Sequence, residues 1–204
     1  MSVSVYMNPI NKILVFALSF LLLFGCNEKY TPKPREFFRI DFPEKTYHAI
    51  PSDFPYRFEI PDYAEILPDP GNPNKPYWIN VSVPANKAEI HLSYYRLSNQ
   101  KTPDRKLLNE FMEETRTLAY KHTIKADAIQ EQVFMNPAKN VYGLIYKIEG
   151  NAASPMQFFL TDSTSHFLRG ALYIREVPNI DSLKPVIDFL EIDIIRLIET
   201  TSWN

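Results

Sequence analysis

Cysteine and glycine are scarce in this chain, which has 1 cysteine and 5 glycines among 204 residues. A single cysteine excludes a disulfide within the chain and a zinc site built from several thiolates. The glycines are too few and too dispersed for the phosphate-binding loops of nucleotide-binding proteins. Basic residues do not outnumber acidic ones, at 22 against 24, so the electrostatic signature of nucleic-acid binding is missing. We therefore expect no cofactor, no metal site and no nucleic-acid partner.

Catalytic motifs are lacking as well. The histidines are dispersed over four segments without a metal-binding helical pair, at His48, His91, His122 and His166. The stretch "TDSTSH" brings Asp162, Ser165 and His166 close together in sequence, but neighbouring strand residues point to opposite faces and no G-x-S-x-G motif is present. A polar hairpin tip accounts for these residues. The sequence thus predicts no enzyme, and a hydrolase using dispersed acidic and histidine side chains is the alternative.

Long apolar runs are limited to one, near the start of the chain. Ile13–Phe24 contains twelve uncharged residues between Lys12 and the pair Gly25-Cys26, whereas a membrane-spanning helix needs roughly 20. A basic residue, a short apolar run and a small residue form the layout of a secretory signal. The window "LFGC" resembles a bacterial lipobox, in which the cysteine receives diacylglycerol before cleavage. We expect a signal peptide over residues 1–25 and a lipid on Cys26; an uncleaved anchor with a buried cysteine is the alternative.

Proline is concentrated in the segment that follows the cysteine. Ten of the 17 prolines lie between Pro32 and Pro76, which excludes helix there and favours extended segments joined by turns. Large apolar residues are frequent in the same segment, and burying each would stabilise the fold by roughly 1.5 to 3 kcal/mol. We predict a tether over residues 26–35, an aromatic arm packed on the domain over 36–76 and an α+β domain over 77–204. The residues of the tether and arm that we consider for partner docking are Tyr30, Phe37, Phe38 and Phe42.

The remaining chain alternates between strand and helix patterns. Period-two alternation predicts strands at 77–84, 88–97, 129–135, 141–150, 156–162 and 166–176, joined by turn residues. Helical spacing predicts one helix capped by Thr102 and a second capped by Asp181 or Ser182, with Pro185 in its first turn. This order indicates an α+β fold with a mostly antiparallel sheet and two main helices. Its outline is similar to the Mog1/PsbP-like sandwich, an analogy of shape that implies no activity.

The C-terminal helix carries more apolar residues than one sheet face requires. Phe189, Ile192 and Ile195 widen its apolar stripe. We expect this helix to be deeply packed or partly covered by the arm; the alternative is that its second face binds a partner.

Three stretches of the chain resemble the family of gliding motility lipoproteins called GldD. They are the segment from Cys26 to Tyr47 with its "YTPKPR" and "FRIDFPEK", the following "FPYRFEIPDYA", and the tail from "LRGALYIREVPNIDSL" to "TTSW". The resemblance implies a cell-envelope lipoprotein required for gliding and linked to type IX secretion, with protein partners in that machinery. It carries over a single functional residue, the lipidated Cys26.

We therefore expect a non-enzymatic assembly or accessory factor. It would be attached to a membrane of the cell envelope by its lipid and would face the periplasm. A protein that binds a small apolar or glycan ligand between sheet and helix is the alternative function.

Overall fold

The computed structural model describes residues 8–10, 41–97, 104–176 and 180–204, with the side chains of 180 and 181 excluded. Contacts divide the chain into two compact units, Met1–Phe38 and Arg39–Asn204. The second unit contains the sheets and both long helices among the described residues.

The centre of the second unit is a seven-stranded sheet in which every neighbouring pair is antiparallel. Its strands, in the spatial order β4-β5-β6-β10-β9-β8-β7, are β4 (Glu65–Pro68), β5 (Ile79–Val83), β6 (Ala88–Arg96), β10 (His166–Ile174), β9 (Met156–Thr161), β8 (Val141–Gly150) and β7 (Ala126–Asn136). Two helices accompany it, α1 (Arg105–Tyr120) and α2 (Ile180–Thr200). The predicted α+β class with a mostly antiparallel sheet and two main helices is confirmed.

Two of the hairpins share one turn design. Strands β5 and β6 are joined by a 3₁₀ turn at Pro84–Asn86, and β7 and β8 by another at Pro137–Lys139. In each, the next residue is left-handed, with φ of 49° at Lys87 and 54° at Asn140. Proline fixes the first φ of the turn, and the left-handed residue reverses the chain into the next strand.

Both helices begin at residues other than those predicted. Asp104, and not Thr102, is the N-cap of α1, because its carboxylate accepts the backbone N–H of Leu107 at 3.0 Å. Helix α2 already begins at Ile180, so Asp181 and Ser182 lie inside it and Pro185 is past the first turn. Proline has no backbone N–H, so the backbone carbonyl four residues before Pro185 lacks its usual helical hydrogen bond. This one acceptor of the helix needs another donor.

The sheet separates two hydrophobic cores. Because side chains alternate along each strand, one face presents Val81, Ile90 and Leu172 to the core that contains Leu190 and Ile194 of α2. The other face presents Tyr146, Phe159 and Phe167 to a smaller core against Leu107, Phe111 and Met112 of α1. The two helices therefore pack on opposite faces of the sheet.

Residues 41–68 contribute strands on the α2 side and at one sheet edge. Strand β1 (Tyr47–Ala49) pairs with β3 (Glu59–Pro61), and β2 (Tyr56–Arg57) pairs with the C-terminal β11 (Ser202–Trp203). Tyr56, Phe58 and Ile60 are at most 2% exposed. Strand β4 joins the main sheet beside β5, so the sheet extends into the segment that the sequence assigned to the arm.

The loop after β4 is mostly exposed, and prolines, a glycine and asparagines typical of turns are frequent in it. The Asp69 carboxylate closes it by accepting hydrogen bonds from the backbone N–H of Gly71 at 2.9 Å and from Asn72 Nδ2 at 2.7 Å. Within the described residues, no helix is both long and apolar enough to cross a membrane.

Candidate functional site

The residues predicted for anchoring and docking fall mainly outside the described part of the chain. Cys26, Tyr30, Phe37 and Phe38 lie there, and the structure describes Phe42 alone of the five. The Phe42 ring is half-buried and stacks on Phe189 of α2, with centroids 4.2 Å apart and planes inclined by 13°. Phe42 is thus in contact with its own domain at the point where the described segment begins.

A buried carboxylate lies next to this aromatic pair. Asp193 of α2 is 2% exposed. Its Oδ1 accepts hydrogen bonds from Lys45 Nζ at 2.6 Å and from the Tyr47 hydroxyl at 2.9 Å, and its Oδ2 accepts one from the Tyr63 hydroxyl at 2.5 Å. We call Lys45, Tyr47, Tyr63 and Asp193 the Asp193 cluster. All three donors come from the segment 45–63, so the cluster fixes that segment on α2.

The cationic member of the cluster is held from several sides. Lys45 Nζ also donates to the backbone carbonyl of Phe189 at 2.9 Å and lies 3.6 Å from the centroid of the Phe189 ring. A cation over an aromatic face is attracted by the ring quadrupole. These contacts replace interactions with water that the Lys45 ammonium loses when it packs beside Asp193.

Both phenols of the cluster are held in their protonated form. Burial, and then the hydrogen bond to Asp193, raise the pKa of Tyr47 to about 12. The same causes, in the same order, raise the pKa of Tyr63 further. At neutral pH both hydroxyls therefore donate hydrogen bonds to the Asp193 carboxylate. Neither phenol is available as a general base.

Sequence reasoning missed the Asp193 cluster, although one signal for it was available. Asp193 follows Leu190 by three residues and precedes Leu197 by four, so helical spacing places it on the buried face. A carboxylate on that face requires a partner. Its partners lie 130 to 148 residues earlier in the chain, and no local pattern identifies them.

The "TDSTSH" turn is organised around Asp162. Its Oδ1 accepts the backbone N–H groups of Thr164, Ser165 and His166 at 2.8 to 2.9 Å, and its Oδ2 accepts the Thr164 hydroxyl at 2.8 Å. Burial alone would raise the pKa of Asp162, but these hydrogen bonds, led by that from His166, outweigh it and lower the pKa. The carboxylate is therefore engaged by the turn that it stabilises, as the hairpin-tip interpretation expects.

His166 is engaged by residues other than the neighbouring serine. Its Nδ1 lies 2.8 Å from the Tyr94 hydroxyl, and its ring stacks on Trp203 with centroids 5.0 Å apart. Burial lowers the pKa of His166 and favours the neutral imidazole. No hydrogen bond joins Ser165 to His166 within the described chain, so the geometry shown does not assemble a serine nucleophile with its base.

The other histidines remain apart from one another. His48 Nδ1 lies 2.7 Å from Asp62, His91 Nε2 lies 3.3 Å from Glu89, and burial lowers the pKa of His122. No three histidine, cysteine or acidic side chains converge as a metal site in the parts of the chain that are described.

The space between sheet and α2 is filled at its centre and opens at one edge. Leu190, Ile194 and Ile198 are completely buried there. Near the start of the helix, a cleft of about 450 Å³ borders Met156 and Leu172 of the sheet. Two ion pairs with members beside this cleft are Lys147–Glu191 and Lys184–Asp188.

Comparisons with known proteins place the chain in a family. The family model described as gliding motility lipoprotein GldD matches residues 27–203. No curated protein matches the chain in sequence. Among solved structures, the chain is similar to the cyanobacterial PsbP (CyanoP) from Synechocystis sp. PCC 6803, with 12% identity, a TM-score of 0.43, and 81% of this chain and 95% of that chain covered.

Proposed function

The chain belongs to the GldD family of gliding motility lipoproteins, and from that premise we propose that it is a non-enzymatic assembly or accessory factor linked to type IX protein secretion. In this proposal a lipid on Cys26 attaches the protein to a membrane of the cell envelope, and the folded unit faces the periplasm. The observation that carries the proposal is the family match, which begins at the residue after Cys26 and covers nearly the whole folded unit.

Attachment through Cys26 is the first part to test. Each buried acyl methylene stabilises membrane binding by roughly 0.8 kcal/mol, so two or three acyl chains hold a protein nearly permanently. We expect the natural protein to sediment with membranes and Cys26→Ala to be recovered in the soluble fraction or as unprocessed precursor. Mature protein that stayed on membranes after Cys26→Ala would contradict the lipid anchor.

The docking of a partner is the second part. Because Phe42 already stacks on Phe189, we assign it the role of fixing the base of the arm, and we assign contact with the partner to Tyr30, Phe37 and Phe38. Photoreactive residues at positions 30, 37 and 42 in living cells would test this division. We expect capture of a motility or secretion component from positions 30 and 37, with loss of capture in Cys26→Ala.

Two control positions make the crosslinking experiment decisive. Met135 is 68% exposed on the edge strand β7, and Ile192 is 54% exposed on α2. Capture from Met135 as strong as from positions 30 and 37 would mean nonspecific labelling. Capture from Ile192 alone would move the docking surface to the second face of α2 and reject the arm.

The proposal that the protein is not an enzyme rests on the contacts made by the strongest catalytic candidates. Asp162 is engaged by its own turn, and His166 contacts Tyr94 and Trp203. We expect Ser165→Ala to fold normally and to support gliding at the natural level. A folded Ser165→Ala variant that abolished gliding would favour the hydrolase alternative.

A further inference from the structure

The face of the sheet that packs on α1 also carries a polar cleft. Helix α1 covers Phe159 and Phe167 on this face. Beside that covered region, the same face borders a cleft of about 400 Å³, between the loop after β4 and the end of α1. The cleft lies on the opposite side of the sheet from the Asp193 cluster and α2.

The floor of the cleft is one row of residues across four strands. Asn80 of β5 is opposite His91 of β6, His91 is opposite Ala171 of β10, and Ala171 is opposite Gln157 of β9. Neighbouring strands lie about 4.8 Å apart, so the backbones of the outer two residues are roughly 14 Å apart. Because Ala171 is small, the row is low between His91 and Gln157, with one carboxamide at each end of the row.

The two carboxamides face the cleft without a protein partner. Asn80 is 6% exposed and Gln157 is 4% exposed, and neither side chain forms a hydrogen bond to the residues that the structure describes. No fully enclosed side-chain nitrogen or oxygen in the described residues lacks a partner, so the polar atoms of both amides are open to the cleft that they line. Water can pair them in the free protein, and a molecule bound in the cleft can replace this water and use the same donors and acceptors.

Aromatic side chains form part of the walls. The indole of Trp78 is oriented by a hydrogen bond from Nε1 to the Tyr94 carbonyl at 2.8 Å and by edge contact with Tyr95 at 5.2 Å. Tyr173 is 37% exposed and contacts the His91 ring at 4.9 Å. Rigid aromatic rings beside amides are suited to a ligand that has both an apolar face and hydroxyl groups.

Two of the charged groups that line the cleft already have partners. Arg169 lies 3.3 Å from Glu114 and donates to the Tyr95 hydroxyl at 3.0 Å. Asp69 accepts the hydrogen bonds that close its own loop. At the floor, His91 Nε2 lies 3.3 Å from Glu89, which leaves the two neutral amides, each able to donate and accept. Lys121 and His122, which follow α1, also line the cleft.

We infer that this cleft binds a neutral saccharide. The carboxamides of Asn80 and Gln157 form hydrogen bonds to its hydroxyl or acetamido groups, and a sugar ring stacks on Trp78 or Tyr173. The volume lies within the range of about 300–1,000 Å³ that is usual for small-molecule sites. This site is independent of the proposed docking through Tyr30, Phe37 and Phe38, since its lining includes neither residues 26–42 nor α2.

The test is calorimetric titration of the purified full chain in detergent with three probes. They are the disaccharide of N-acetylglucosamine, cellobiose and a disaccharide that contains a uronic acid. We expect at least one neutral probe to bind with a dissociation constant below about 1 mM. Asn80→Ala and Gln157→Ala should each weaken it at least about tenfold, and Ala171→Phe should abolish it by filling the floor. The control Gln132→Ala, at an exposed position of β7, should bind as the natural protein does.

A second measurement keeps the inference testable if these probes are not the natural sugar. Replacing unpaired amides by apolar groups should leave the thermal midpoint of Asn80→Leu and Gln157→Leu unchanged or raised, because no internal hydrogen bond is lost. A clear fall in the midpoint of both variants would show that the amides serve the fold and would overturn the inference. Preferential binding of the uronic-acid probe would overturn the inference as well. So would the failure of every neutral probe to bind, if the midpoints of both Leu variants also fell.

Discussion

The Asp193 carboxylate joins the segment 45–63 to α2 by accepting hydrogen bonds from three donors. Removing one partner of a buried ion pair typically costs about 3–5 kcal/mol, because the other charge stays buried. Lys45 keeps some contact with water, at 21% side-chain exposure, so the lower end of that range applies. We predict that Asp193→Asn lowers the free energy of unfolding by about 3 kcal/mol, measured by urea denaturation with tryptophan fluorescence.

The matched control for this change lies on the same helix. Asp188 pairs with Lys184 at 2.9 Å, but their side chains are 55% and 66% exposed. Exposed pairs of this kind contribute little to stability, so Asp188→Asn should be nearly neutral. Equal effects of the two substitutions would mean that the burial of Asp193 is not what makes its interactions stabilising.

His166 should make the stability of the fold depend on pH near neutrality. Burial lowers its pKa in the native state, whereas the unfolded chain binds the proton near an ordinary pKa of about 6.5. The unfolded state therefore gains protons first, and stability falls as the pH is lowered from 7.5 to 5.5. We predict a smaller fall for His166→Gln, measured as the urea midpoint at each pH.

A double variant separates the contribution of His166 from that of another histidine. Burial also lowers the pKa of His122, which gives a pH dependence of the same sign. The stability of the double variant His166→Gln/His122→Gln should therefore depend less on pH than the stability of either single variant. If the double variant keeps the full pH dependence, neither imidazole is its cause.

At the scale of elements, the pairing of β8 with β9 depends on a glycine. A Cβ built on Gly143 would lie 2.0 Å from the backbone carbonyl oxygen of Phe159, and that atom cannot move without separating the strands. Overpacking typically costs 1–3 kcal/mol, so we predict a loss of about 3 kcal/mol for Gly143→Ala. Gly71→Ala is the control, because its nearest contact is the Asp69 side chain at 3.3 Å. Similar unfolding midpoints for the two variants would contradict this account.

The sequence was most informative about elements where local chemistry decides the structure. Strand β8 was predicted at its observed bounds, 141–150, because the turn before it has proline and asparagine in fixed positions. Strand β7 begins earlier than predicted, at Ala126, since the irregular pairing between Ala126 and Ala128 interrupts the alternation. The cap of α1 was misplaced because Thr102 and Asp104 both have suitable side chains, and the observed hydrogen bond selects Asp104.

The candidate sites could be predicted only in part, because their groups meet through pairing between distant strands. Asn80 and Gln157 lie in one row of the sheet although they are 77 positions apart in the chain. Each, taken alone, is an ordinary polar position of an alternating strand. Their position at the two ends of one cleft floor follows from the register of three strand pairs, which the sequence pattern does not specify.

At the scale of the whole unit, residues 202–204 pair with the segment 54–57. Strand β11 pairs with β2, and Asn204 donates from its backbone N–H to the Pro55 carbonyl at 3.1 Å and from Nδ2 to the Phe54 carbonyl at 2.7 Å. Trp203 Nε1 donates to the Asn140 carbonyl at 3.0 Å. The last residues thus connect the segment 54–57 to the turn between β7 and β8.

We predict that deleting residues 202–204 opens the segment 54–57 without unfolding the sheet. The deletion removes the β2 pairing and the bonds of Asn204, whereas Glu59 keeps its backbone hydrogen bond to Thr200 Oγ1 at 2.9 Å and its ion pair with Arg196 at 2.6 Å. Hydrogen exchange followed by mass spectrometry should show faster exchange at residues 54–57 and unchanged protection in β6 and β10, because local opening requires less free energy than global unfolding. Deletion of Asn204 alone is the control and should give an intermediate effect. Unchanged exchange at 54–57 would show that the core contacts of Tyr56 hold the segment without the C-terminal strand. Uniform loss of protection would show that residues 202–204 stabilise the unit as a whole.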